Sequence, residues 1–163
     1  MPKQFKVSYD IPSDVETAYA AISGEGWAKA KADRFDDGSE VVRREEGPAG
    51  AVTMVVSRKL PDGIPGFLQK FLPSDGRVTQ TDAWGAAADG VRSGTWKAET
   101  PGSPAKIDGT MRLEPNGTGC RYVVEGNVKV SIPVVGGKAE SVAVGITEKL
   151  TAKEAEVLRG MVT

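Results

Sequence analysis

The sequence contains no histidine and a single cysteine, Cys120, in 163 residues. Without histidine there is no Ser-His-Asp or Cys-His pair and no imidazole acid or base. With one thiol and no imidazole, a zinc site of the usual His/Cys kind is excluded. The lone cysteine also excludes an intrachain disulfide and fits a reducing compartment. Set inside a strand-like run, it reads as a small buried hydrophobe. No apolar run reaches the roughly 18 residues of a membrane span. The opening Met1-Pro2-Lys3-Gln4-Phe5-Lys6 has no apolar h-region, so no signal peptide is expected. Together these absences predict a soluble cytoplasmic protein. Neither sign of charge dominates, with 21 Lys and Arg against 22 Asp and Glu. Nothing in that balance points to nucleic acid or an acidic membrane surface as partner.

Motif chemistry is equally sparse. Gly24-Glu25-Gly26 follows a helix-like segment instead of a strand and lacks the third glycine of a dinucleotide fingerprint. Gly136-Gly137-Lys138 lacks the first P-loop glycine and the Ser or Thr after the lysine. Asp33, Asp36 and Asp37 lie close together, but at a turn, where a solvated loop is expected rather than a cation site. No cofactor and no metal are expected. What remains is a chain of ordinary composition, 39% hydrophobic and 26% charged, of a length suited to one domain spanning 1–163. Twenty glycines and ten prolines fall singly between strand-like runs and read as turns.

Phe5, Val7, Tyr9 and Ile11 alternate with polar residues, the pattern of a strand with one apolar face. Pro12-Ser13-Asp14 stops it. Ser13 or Asp14 can cap a helix carrying Val15, Ala18, Tyr19 and Ile22 on one side, with Glu16 supporting its dipole. A second short helix is expected from Trp27 to Asp33. Strands follow at Glu40 to Glu45 and Val52 to Leu60. The apolar segment Ile64 to Leu72 comes next, and Phe67, Leu68, Phe71 and Leu72 would share one side of a short helix there, as a cap or a mobile lid. Four strands then run at about Arg77–Ala86, Val91–Glu99, Lys106–Leu113 and Gly119–Ile132. The turns Ala88-Asp89-Gly90, Pro101-Gly102-Ser103-Pro104 and Pro115-Asn116-Gly117 join them, Asp-Gly and Asn-Gly being strong hairpin signals. From about Lys138 an amphipathic helix of about six turns is expected, with Ala139, Val142, Ala143, Ile146, Leu150 and Val157 near one stripe and Glu154 away from it. Gly145 inside it costs about 1 kcal/mol relative to alanine, which close packing, or room for a bound ligand, would explain.

This order predicts an α+β fold in which a curved antiparallel sheet of about seven strands wraps around the long C-terminal helix. A sheet with one apolar face has to be covered, and a curved sheet around one helix tends to leave a hollow between them. The order β-α-α-β6-α resembles the helix-grip fold of the START-like (SRPBCC) superfamily, which includes birch-allergen-like proteins, polyketide cyclases and lipid-transfer START domains. Three stretches carry the likeness. Val7 to Tyr19 looks like the superfamily's opening strand, proline and helix. Trp84 to Trp96 and Pro104 to Thr110 are similar to its central hairpins. Val128-Lys129-Val130-Ser131-Ile132-Pro133-Val134-Val135-Gly136-Gly137-Lys138-Ala139-Glu140 resembles the "iPlxGgkxE" junction of a domain-of-unknown-function branch common in actinobacteria. The resemblance implies a deep cavity for apolar or amphipathic molecules and carries over no activity.

Alternation along the strands and the helix face nominate the residues of such a cavity. Trp84 and Trp96 sit on neighbouring strands, Met54 and Met111 are adaptable apolar side chains, and Tyr122 offers an apolar body with a polar tip. Val142 and Ile146 would form the helix wall, with Phe67 and Phe71 at the entrance. Plain core packing is the competing reading for each. The function expected is binding of a hydrophobic small molecule, such as a lipid, isoprenoid or polyketide-like compound, as carrier or sensor. A cyclase or dehydratase would need a desolvated charge, for which Asp82, Arg92, Asp108, Arg112 and Glu125 are the mid-strand candidates. An inward carboxylate with a raised pKa would favour the enzyme. A protein-interaction module using the outer sheet face is a third possibility. The missing histidine and the absence of a clustered motif favour binding.

Overall fold

The computed structural model describes residues 2–163. Strand β1 (Lys3–Ile11) leads into helices α1 (Val15–Ile22) and α2 (Gly26–Phe35). Strands β2 (Glu40–Glu46), β3 (Val52–Lys59), β4 (Arg77–Trp84), β5 (Arg92–Glu99), β6 (Ala105–Asn116) and β7 (Gly119–Val130) follow, and α3 (Gly136–Val162) ends the chain. The strands form one antiparallel sheet in the order β1-β7-β6-β5-β4-β3-β2. Successive strands β2 to β7 pair as neighbours, joined by turns except between β3 and β4, where a longer segment carries a 3-10 helix, and β1 adds to the far side of β7. Asp14, not Ser13, caps α1, its carboxylate accepting from the Thr17 N–H at 2.7 Å.

Alternation sets the two faces. One rung of the inner face can be followed across six strands through paired residues: Met54, Asp82, Trp96, Gly109, Gly126 and Phe5. Its two glycines have a packing reason. A methyl group on Gly126 would run into the Phe5 ring and lie 2.9 Å from the Trp96 indole. Trp96 and Phe5 therefore fill the space Gly126 leaves, with ring centroids 6.2 Å apart, whereas at Gly109 a Cβ would strike the Glu125 carbonyl of the neighbouring strand. The Trp96 indole N–H donates to the Glu125 carbonyl at 3.2 Å. Edge strand β2 is charged and bulged between Val41 and Arg43, features that discourage pairing with another chain.

Helix α3 runs 27 residues, about 40 Å. It is longer than the expected six turns because it starts within the Gly-Gly pair and continues to Val162. Gly136 is required there: a Cβ would sit 2.6 Å from the Val130 carbonyl. One turn later Glu140, buried, accepts a hydrogen bond from the Val130 N–H at 2.9 Å. Strand end and helix start are thus fastened by the glycine and the glutamate of the junction motif. Gly145 is different. A Cβ there would meet nothing within 4 Å, so close packing does not explain it.

Two substitutions test this account by equilibrium unfolding. Glu140→Ala leaves the Val130 N–H without its charged partner and is expected to cost about 1–3 kcal/mol. Gly126→Ala overpacks the rung and is expected to cost about the same. A change within about 0.5 kcal/mol in both would refute these roles.

Candidate ligand cavity

Helix α3 is packed tightly at its two ends and loosely in its middle. Ala139 near the start and Ala155 and Leu158 near the end are buried. Val142, Ala143, Ile146 and Leu150 between them are only half-buried. The reason is a cavity of about 170 Å³ between this stretch and the sheet. Its sheet wall includes Trp96, Met111, Tyr122 and Val124, and its helix wall Val142, Ile146 and Leu150. The segment between β3 and β4 closes one side with Ile64, Leu68, Phe71 and Leu72.

Six of the nine residues nominated from the sequence border this space: Phe71, Trp96, Met111, Tyr122, Val142 and Ile146. Three do not. Phe67 points elsewhere because Gly66–Phe71 is a 3-10 helix, in which residues three apart share a side. Leu68 and Phe71 therefore face the cavity, while Phe67 lies under the Lys138 ammonium, 4.8 Å from the ring centroid. Met54 is fully packed, at 1% exposure, on the β3 side of the sheet, whereas α3 packs on β1 and β7. Trp84 lies edge-on to Tyr19 with centroids 5.6 Å apart, in the core beneath α1. Its indole nitrogen has no hydrogen-bond partner among the described residues.

The candidate charges divide by face. Asp108, Arg112 and Glu125 alternate with inner residues and lie on the outer face. There Arg112 bonds Glu114 at 2.9 Å and Lys6 approaches Glu125 at 3.6 Å, contacts of little energetic weight. Arg92 faces inward, but it forms a double hydrogen bond to Glu16 at 2.9 and 3.0 Å and lies 4.2 Å over the Tyr19 ring. It ties α1 to β5 and does not border the cavity. Asp82 alone is an inward carboxylate, buried beside Trp96 on the rung.

Asp82 belongs to a polar cluster that periodicity did not reveal. Gln80 Nε2 donates to Asp82 Oδ1 at 3.0 Å and Arg58 Nη2 donates to Gln80 Oε1 at 3.3 Å. From α2, Lys31 reaches in at 2% side-chain exposure, with Nζ 3.9 Å from Glu154 Oε2 on α3. Arg58, Gln80, Glu154 and Thr151 border the cavity. Glu154 thus lies on the cavity stripe with Thr147, Leu150 and Thr151, not away from it as expected. The i, i+3, i+4 spacing carries that signal, as does Lys31 one turn after Trp27, whose ring centroid is 5.1 Å from the ammonium.

Burial raises the Asp82 pKa above the ordinary aspartate range, and the Lys31 charge and the Gln80 hydrogen bond offset this only in part. Burial also raises the Tyr122 phenol well above its ordinary value, reinforced by the negative charges of Glu154 and Asp82. Tyr122 is therefore a neutral hydrogen-bond donor at physiological pH. Burial pushes the Cys120 thiol up as well, which makes it a poor nucleophile.

The Asp82 shift has a stability consequence. The native state holds this proton more tightly than the unfolded chain, whose aspartate titrates near about 3.9. Stability is therefore lost as pH rises from there towards the native pKa. Asp82→Asn has no such loss. Its melting temperature relative to wild type is expected to be higher at about pH 7 than at about pH 4. The opposite slope would mean that the attraction of Lys31 and Arg58 outweighs burial.

The curved sheet, the long covering helix and the hollow between them define the helix-grip fold of the START-like superfamily. The chain belongs to the family described as protein of unknown function DUF2505, whose model matches residues 6–162. An uncharacterised protein of Mycobacterium tuberculosis is 24% identical over 148 residues, 86% of this chain and 85% of that protein. Among solved structures, the Zhui aromatase/cyclase of Streptomyces sp. R1128 matches with a TM-score of 0.65 at 11% identity, over 99% of this chain and 94% of its own. A START superfamily protein of Mycobacterium smegmatis matches with a TM-score of 0.56 at 15% identity, over 98% and 96%. At these identities the structures share the fold. Among the described residues, no helix is long and apolar enough to cross a membrane.

Proposed function

We propose that this protein binds a hydrophobic or amphipathic small molecule in the cavity between the sheet and α3, as a carrier or sensor. The observation that carries this reading is the loosely packed middle of α3. Apolar side chains there face free volume where a domain of this size would ordinarily be filled to crystal-like density. Binding would remove the apolar walls and the apolar ligand from water together, worth roughly 25 cal/mol per Å². Leu68 and Phe71 form the entrance, and movement of their short 3-10 segment would admit the ligand. The fold shared with a START superfamily protein and with an aromatase/cyclase is consistent with a ligand-holding hollow.

Asp82 favours a second reading, a cyclase or dehydratase, because it is an inward carboxylate with a raised pKa. Yet it does not border the cavity; Gln80 does and occupies one of its oxygens. A buried acid shielded in this way supports binding better than proton transfer to a ligand.

The test is native mass spectrometry of protein purified from its own host, with extraction of anything bound, run beside Ile146→Trp. The added indole would fill the cavity from the helix side. Wild type is expected to carry an apolar molecule of defined mass. The variant is expected to melt within a few degrees of wild type, roughly the spread of a well-tolerated substitution, and to carry none. Equal loading of the folded variant would move the site elsewhere. Wild type with nothing bound, and no thermal shift from a lipid and polyketide-analogue panel, would overturn the proposal.

A further inference from the structure

The cavity is apolar along most of its length and polar at one end, and the hydrogen-bonding capacity left over at that end is specific. The groups bordering it are Arg58, Gln80, Tyr122, Thr147, Thr151 and Glu154, and Thr100 and Ser103 near the β5–β6 turn line the cavity as well. Several are already committed. Gln80 uses its amide nitrogen on Asp82 and its oxygen on Arg58. The Thr147 hydroxyl donates to the Ala143 carbonyl and the Thr151 hydroxyl to the Thr147 carbonyl, both at 2.8 Å. Glu154 turns Oε2 towards Lys31, leaving Oε1 as an acceptor. Tyr122 is 5% exposed, and its hydroxyl has no hydrogen-bond partner among the described residues. The Tyr122 hydroxyl and Glu154 Oε1 therefore remain uncommitted at the same end of the cavity, beside the further N–H groups of Arg58.

We propose that this end recognises an uncharged hydroxyl group on an apolar ring or short chain, accepting a hydrogen bond from Tyr122 and donating one to Glu154. This rests on the binding function proposed above and names the chemical class of the ligand. A hydroxyl is both donor and acceptor, so a single small group satisfies both. A ligand carboxylate could accept from Tyr122 and Arg58, but it would leave Glu154 Oε1 without a donor and face its charge. A ligand ammonium would face Arg58 and Lys31. Two cations and two carboxyl groups already surround this end. The phenol is held neutral, and so remains a donor, by the same burial and by the neighbouring Glu154. Size agrees. A volume of about 170 Å³ is of the order of an apolar cavity of roughly 150 Å³ that accepts benzene. A compact, ring-sized body with one hydroxyl fits without displacing the entrance segment; a longer tail would have to pass Leu68 and Phe71.

The test is calorimetric titration of the full chain with four probes sharing one ring system: naphthol, naphthalene, naphthoate and naphthylmethylammonium. Naphthol is expected to bind about tenfold tighter than each of the others, the effect of one or two well-made hydrogen bonds. Tyr122→Phe and Glu154→Gln are each expected to remove most of that advantage while leaving naphthalene affinity unchanged within about twofold. The naphthalene measurement shows that a variant still has a formed cavity, and the two variants lie on different elements. Equal affinity for naphthol and naphthalene would overturn hydroxyl recognition and leave the apolar binding function standing. Tightest binding of naphthoate would also overturn it, in favour of an anion held by Arg58. If none of the four binds, the cavity reading fails, and this inference with it.

Discussion

Where α3 lies over the sheet decides everything else about this molecule, and one buried hydrogen bond fixes it. The Glu140 carboxylate takes the Val130 N–H just where β7 ends and its ladder to β6 runs out. An unpaired buried N–H there would cost as much as a lost hydrogen bond. The carboxylate comes from the first turns of the helix, so satisfying the strand also aims the helix. Gly136 completes the joint by letting the helix backbone approach the Val130 carbonyl. At the other end Ala155 and Leu158 are packed into the core. A rigid rod held at both ends over a coiled sheet cannot follow the sheet's curvature, and the gap falls in the middle. The cavity is thus a geometric consequence of how the helix is fastened.

The same constraint explains what could be read in the sequence. Strand and turn order was legible because period-2 alternation and Asp-Gly or Asn-Gly turns are local signals, and the seven strands and three helices follow them with ends shifted by a few residues. The junction motif was visible as a string, but its chemistry was not. Nothing local tells that Glu140 will bond an amide ten residues earlier. Within the site, residues whose direction follows from strand alternation and the α-helical stripe could be nominated, and Trp96, Met111, Tyr122, Val142 and Ile146 do border the hollow. Phe67 was misdirected because a 3-10 turn and an α-turn assign different partners to the same apolar residues. Met54 and Trp84 share the inner face with Trp96, and alternation cannot tell which part of that face lies beneath α3. The polar cluster was missed for another reason. Lys31 and Glu154 lie at helical spacing from Trp27 and Leu150, but charged residues there look like the solvated edge of ordinary amphipathic helices, and the tertiary arrangement decides that they turn inward.

Buried charge of this kind is costly. A buried ion pair rarely outperforms an apolar replacement of the same shape, and Lys31 and Glu154 at 3.9 Å are too far apart for a direct hydrogen bond. Asp82 takes a place on a rung otherwise filled by Met54, Trp96 and Phe5. Polar residues that break the local packing rule without a gain in stability are the ones to associate with function.

Magnitudes point the same way. An aromatic ring-sized body buries roughly 200 Å², worth about 5 kcal/mol at 25 cal/mol per Å². Immobilising a ligand costs at least about 4 kcal/mol, so an apolar wall of this size holds such a molecule weakly on its own. One or two satisfied hydrogen bonds in a desolvated end add about 1 kcal/mol each, and they discriminate as well, because a ligand lacking the group leaves Tyr122 and Glu154 desolvated and unpaired. In the binding function proposed, the apolar walls would set what can enter, whereas the polar end would decide which of those molecules stays.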